Sequence, residues 1–150
     1  MSMLSAKAKY GLKALLYLAQ REGEGGVQGA DIAKTQNIPK KFLDTILLDL
    51  KNNGLLYSKK GKGGGYTLAR PTTKIMVGQI VRILDGPLAP IPCVSDTAYR
   101  PCTDCHDEDS CQIRRVMRKV RDATAEILDN TSLRDMTIPG KRSIVLHYEI

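Results

Sequence analysis

Five stretches of this chain repeat their apolar residues at helical spacing, and one short pair repeats them like strands. In "LSAKAKYGLKALLYLAQ", Tyr10, Leu12, Leu15, Leu16 and Leu18 recur on one face. They predict an amphipathic helix over 5–22, opened by Ser5 and stopped before "EGEGG". "QGADIAKTQ" predicts a short helix over 28–36 with Ile32 and Ala33 inward. "NIP" then reads as a turn, and Pro39 suits the first position of a helix over 39–53. That helix places Leu43, Ile46, Leu47 and Leu50 on its inner side and ends at "NNG", where Gly54 can cap it. "LLYSKK" and "YTLAR" alternate like strands around "GKGGG", a hairpin tip. "VGQIVRILD" predicts a helix over 77–85, closed by Gly86–Pro87, and a long helix follows from about 110 to 130.

Two short helices joined by a tight turn form a helix-turn-helix, and a hairpin directly after it makes a winged helix. The fold class is therefore mainly α with a small β-hairpin wing: a winged helix-turn-helix plus a long C-terminal dimerisation helix. The divisions that follow are 1–90 for the DNA-binding domain, 91–111 for a cysteine-rich loop, 110–135 for the dimerisation helix and 136–150 for a tail. In the long helix Ile113, Met117, Val120 and Ile127 share a stripe with Val116 and Ala123 beside it. Arg114, Arg115, Arg118, Lys119 and Arg121 take the other face. An uncovered apolar stripe on a small winged helix predicts a homodimer. In the tail, "SIVLHYEI" alternates like a strand.

Charge narrows the function. Among 150 residues, twenty-three Lys and Arg face sixteen Asp and Glu, a net charge of +7. Such an excess points to a polyanion. It gathers where a winged helix meets DNA. Lys40 and Lys41 open the second helix of the motif, the end that enters a major groove. Lys59, Lys60 and Lys62 flank Gly63 and Gly64, so that the wing backbone can approach phosphates. "GKGGG" lacks the GxxxxGK[ST] pattern and a following helix, which sets nucleotide binding aside. Tyr66 reads as a packed strand residue. No paired carboxylates or nucleophile–base set appear, so neither an enzyme nor an electron carrier is expected. No apolar run is long enough for a membrane span, and the basic-then-apolar N-terminus reads as a helix of the fold in a cytoplasmic chain.

All four cysteines lie in "CVSDTAYRPCTDCHDEDSC", from Cys93 through Cys102 and Cys105 to Cys111, with His106 among them. In a reducing compartment such a cluster is a metal or redox site sooner than a disulfide framework. The spacing, Cys-x8-Cys-x2-Cys-x5-Cys, matches neither the paired CxxC of zinc ribbons nor the ferredoxin run. It leaves the metal open. Cys111 would open the long helix, where the helix dipole favours a thiolate.

The succession "LSAKAKYGLKALLYLA", "GLLYSKKGKGGGYTLARP", "VGQIVRILDGPLAP", cysteine loop and long helix resembles the Rrf2 family of bacterial transcription regulators over roughly 3–135. The resemblance implies a homodimer on a palindromic operator of double-stranded DNA, most simply a repressor. Its recognition helix would lie in the major groove and its wing over the minor groove. It implies that Cys93, Cys105 and Cys111 hold an iron–sulfur cluster, [2Fe–2S] or [4Fe–4S]. Cys102 is the first choice for the fourth ligand and His106 the second. Arg114 stands where IscR-like members place a histidine ligand, and Lys9 where other members draw an acidic one. Asp44 matches an acidic position of IscR-like members that would accept from cytosine, and Lys60 matches an arginine. The alternative is a winged-helix regulator without a cluster, with zinc or thiols in the loop. It could also act as CymR-like members do, controlling cysteine metabolism through a partner enzyme.

Overall fold

Ser5 begins the first helix by accepting the Ala8 backbone N–H on Oγ at 3.0 Å, the capping that a serine before an apolar-periodic run predicts. The structure is a computed structural model that describes residues 4–139. Its helices are α1 (Ala6–Ala19), α2 (Gly29–Gln36), α3 (Lys40–Asn52), α4 (Val77–Asp85), α5 (Gln112–Asp129) and α6 (Leu133–Thr137). Strands β1 (Leu56–Lys59) and β2 (Gly65–Leu68) form the hairpin, and short 3-10 turns occupy Thr72–Lys74 and Pro92–Val94.

The turn between α2 and α3 is made by Asn37 in the left-handed region (φ 54°), while Ile38 N–H returns to the Ala33 carbonyl at 2.9 Å. Asparagine tolerates that conformation better than most side chains. Pro39 stands at the N-cap of α3, one residue earlier than expected, with the helix starting at Lys40. At the far end Gly54 N–H reaches the Lys51 carbonyl at 3.0 Å and Leu55 N–H the Leu50 carbonyl at 2.9 Å. This is a Schellman closure, and it turns the chain directly into β1.

β1 and β2 run antiparallel with Leu56 opposite Leu68 and Lys59 opposite Gly65. Val27 adds a one-residue bridge to the outer side of β2, exchanging both backbone bonds with Tyr66. Gly65 makes this possible: a Cβ there would lie 2.5 Å from the Val27 backbone. The sequence pattern missed this bridge.

Side chains from α1, α2, α3, β1 and α4 fill one aliphatic core, and Leu15, Ile32, Leu43, Ile46, Leu47, Leu50 and Ile80 are fully enclosed. Leu133 of α6 completes it. α6, unpredicted, is started by a reciprocal cap in which Ser132 and Asp135 each accept the other's backbone N–H. Its approach to the core is fixed by Val77 N–H to the Thr131 carbonyl and Leu133 N–H to the Ile75 carbonyl.

α5 buries no residue. Ile113, Val116, Val120 and Ile127 are exposed as the amphipathic pattern requires. Two assignments need correction. Met117 is half-buried on the inner side. Arg114 and Arg121, read as part of the charged face opposite the stripe, are also half-buried there. Their guanidinium groups hydrogen-bond the carbonyls of Cys93 and Val94, which periodicity cannot reveal. The strand-like reading of 143–150 lies outside the described residues.

Candidate nucleic-acid interface and cysteine segment

α3 turns Leu43, Ile46, Leu47 and Leu50 into the core, so Lys40, Lys41, Asp44 and Thr45 are exposed at its N-terminal half. Lys40 Nζ and Asp44 Oδ1 pair at 2.7 Å across one helical turn. A Cβ at Gly29, the first residue of α2, would lie 3.8 Å from that same carboxylate oxygen. Asp44 therefore sits toward the α2 edge of the recognition surface, with Lys41 nearer its centre. Sequence reasoning passed over Thr45 and Leu48, which share that centre. The signal was present: they fall at i+4 and i+7 from Lys41, opposite the leucines.

In the wing, Lys59, Lys60, Lys62 and Gly63 are exposed. Gly64 is buried instead, and its carbonyl accepts the Gln28 side-chain amide at 3.1 Å. It serves the closure of the loop between β1 and β2, where a Cβ would press on the Lys59 carbonyl. Tyr66 packs against the core, as a strand residue should. Lysines at the start of α3 and at the wing tip give two separated cationic points, suited to phosphates.

The cysteine segment is built differently. All four thiols are free: Cys93 is buried, Cys105 and Cys111 half-buried, and Cys102 exposed. Cys111 caps α5, its sulfur accepting the Arg114 N–H at 3.4 Å. Arg114 also donates from Nε to the Cys93 carbonyl at 3.3 Å and lies 3.7 Å from Glu108. One arginine thus ties the two ends of the segment together. Arg121 holds the Val94 carbonyl at 2.5 Å and Asp96 at 2.8 Å. Between them, Tyr99 donates to Glu108 at 2.5 Å, a hydrogen bond that pushes the phenol's pKa up. The Cys105 thiol is also pushed up, first by burial, then by its neighbours Cys111 and Cys102. His106 is exposed.

An iron–sulfur cluster asks for soft sulfur donors, and the four thiols supply that chemistry. Their arrangement is open: among the described residues no three Cys, His, Asp or Glu side chains converge on a common point. Cys105 and Cys111 approach each other, while Arg114 bonds both the Cys111 sulfur and the Cys93 carbonyl.

A family model described as Rrf2, iron-dependent transcriptional regulator, matches residues 4–138. The chain is 42% identical over 141 residues to an HTH-type transcriptional regulator of rrf2-like description from Rhodobacter capsulatus, covering 92% of this chain and 94% of that one. It is 34% identical over 133 residues to the transcriptional regulator CymR of Bacillus subtilis, covering 89% and 88%. The solved structure of that CymR, described as the global cysteine regulator, superposes with a TM-score of 0.75 at 33% identity over 91% of this chain and 97% of its own. IscR of T. potens superposes at 0.69 and 32% identity over 89% and 84%.

Proposed function

Because this chain belongs to the Rrf2 family and is a DNA-binding transcriptional regulator, not an enzyme, we propose that it binds a palindromic operator as a homodimer and is switched by its cysteine segment. One observation carries the dimer. α5 is eighteen residues long with no buried side chain, and Ile113 and Ile127 are 68% and 65% exposed. A second copy covers that stripe by two-fold pairing, and the same symmetry presents two α3 helices to two half-sites. Lys40, Lys41 and Asp44 then enter the major groove. Lys59, Lys60 and Lys62 meet the backbone beside the minor groove, with Gly63 giving close approach and Gly64 shaping the wing. Among the described residues no helix is long and apolar enough to cross a membrane. Such a regulator works in the cytoplasm, most simply as a repressor.

In this reading Cys93, Cys105 and Cys111 hold an iron–sulfur cluster, with Cys102, or else His106, as the fourth ligand. When bound, such a group supplies sensitivity to oxidation or nitric oxide. Because Asp104, Asp107 and Asp109 make the loop acidic, the metal's own charge would supply most of the stabilisation of these thiolates, with the N-terminus of α5 adding to it at Cys111. What the chain contributes is position. Cys111 is fixed by the α5 cap, and Cys93 by Arg114, so a change in the segment reaches α5 without passing through the core.

The open arrangement of the thiols and the likeness to CymR favour a second reading: a loop that works without a cluster, through zinc, thiols or a partner enzyme. Anaerobic reconstitution with iron and sulfide separates the two. The cluster reading expects a brown protein whose visible bands vanish in Cys93→Ala, Cys105→Ala and Cys111→Ala and weaken in Cys102→Ala. A colourless protein that binds one zinc tightly leaves the regulator standing and removes the cluster.

A further inference from the structure

Leu48 is the one large aliphatic side chain on the outer face of α3, 52% exposed while its neighbours Ile46, Leu47 and Leu50 are enclosed. At 3.6 residues per turn it stands opposite that buried set, aligned with Lys41, Thr45 and Asn52 at spacings of four, three and four. Phe42 and Asp49 lie to one side, where Phe42 packs edge-on against Tyr10 and Asp49 pairs with Lys7. Lys40 and Asp44 lie to the other and pair with each other. Thr45 turns its hydroxyl back to the Lys41 carbonyl at 3.4 Å. The middle of the recognition surface is therefore an apolar pair, Thr45 and Leu48, with Lys41 before it and Lys51 after it along the helix.

A single exposed leucine is ordinary on a protein surface. Its place here gives it meaning. The floor of a major groove offers hydrogen-bond donors and acceptors and one apolar feature, the 5-methyl group of thymine. We propose that Leu48, with Thr45 beside it, is a specificity-determining contact that reads a thymine methyl in each half-site. The assignment rests on α3 lying in the major groove, as argued above. It divides the labour on that helix: Lys41 supplies charge that any sequence satisfies, and Leu48 supplies preference at one A·T pair.

The test uses the full chain and an operator obtained by selection: duplexes are enriched from a random pool on the parent protein. Each thymine of the enriched half-site is then replaced by deoxyuridine, which removes the methyl and keeps the base pairing. One replacement should weaken the parent about fourfold, the worth of one buried methyl. Leu48→Ala should bind the thymine and uracil duplexes alike, and Leu48→Met should restore the difference. Alanine at this exposed helical position does not threaten folding. A parent indifferent to every replacement, or a Leu48→Ala variant that still discriminates fully, overturns the assignment while leaving groove binding intact. If selection enriches no sequence, the groove reading falls and the assignment falls with it.

Discussion

Between Ala8 and Leu84 the chain buries every residue of its core except Leu133, whereas between Gln112 and Asp129 it buries none. Both regions are amphipathic, yet the winged-helix head encloses its apolar side chains within its own chain, whereas α5 packs Leu128 on the core and leaves most of its apolar stripe uncovered. α5 meets the rest of the molecule through Arg114 and Arg121 on backbone carbonyls, through Asp129 on Arg82, and through Leu128 against the core, and it turns its isoleucines and valines away. A self-sufficient head can recognise DNA in one fixed shape. A half-satisfied helix responds to whatever covers it or anchors it.

The contrast is undone most severely by putting charge on the uncovered stripe. Ile113→Asp combined with Ile127→Asp should leave a folded, monomeric protein whose affinity for a palindromic site falls by roughly 100-fold or more, since the second half-site is no longer linked to the first. Sedimentation and footprinting check this, and a variant that stays dimeric refutes the proposed pairing. Next comes truncation within each region. Leu47→Ala, fully enclosed in the head, should cost about 2–5 kcal/mol in urea unfolding. Val116→Ala should shift dimer dissociation and, under monomeric conditions, change stability by no more than about 0.5 kcal/mol. Equal losses would mean that α5 packs inside its own chain.

Smaller effects separate the regions more finely. Lys60→Ala and Lys62→Ala should each lower the slope of log affinity against log salt by about 0.9, with sequence preference unchanged. Unchanged slopes would place the wing off the duplex. The weakest effect concerns the join between head and helix. Arg82 grips Asp129 through two bonds at 2.5 and 2.9 Å, which hold the carboxyl below the usual carboxylate range and raise the guanidinium. A depressed carboxyl contributes stability above its unfolded pKa and loses it as pH falls through the folded value. Asp129→Asn should therefore flatten the acid side of the stability profile. Near neutral pH it should cost no more than about 1 kcal/mol, because the pair is partly exposed.

What the sequence made legible was local. Ser5, Asn37 and Gly54 announce their turns through side-chain or backbone chemistry within a few residues, and the leucines of α3 declare their inner face by period alone. What stayed hidden depends on remote partners. Val27 is an ordinary residue until Tyr66 lies beside it. Ser132 and Asp135 carried a capping signal, but the five residues of α6 are too few to show a period. Arg114 and Arg121 misled because arginine on an amphipathic helix usually faces water, and here two carbonyls of the Pro92–Val94 turn draw them inward. The cysteine segment showed its donor atoms by composition and kept its geometry to itself.

The gripped end of α5 gives the helix a pivot. Asp129 is held by Arg82 and pressed so close to α4 that a Cβ on Gly78 would collide with its carboxylate, while just beyond it Leu133 is locked into the core. The opposite end rests on Cys111 and the exposed loop. α5 is thus a lever with its fulcrum at Asp129, about 27 Å long for eighteen residues. Each degree of tilt at that fulcrum carries the Cys111 end about half an ångström. In the proposed switch, a small adjustment in the cysteine segment, passed through Arg114 and Arg121, would reorient the whole apolar stripe, and with it the angle at which a second copy sits.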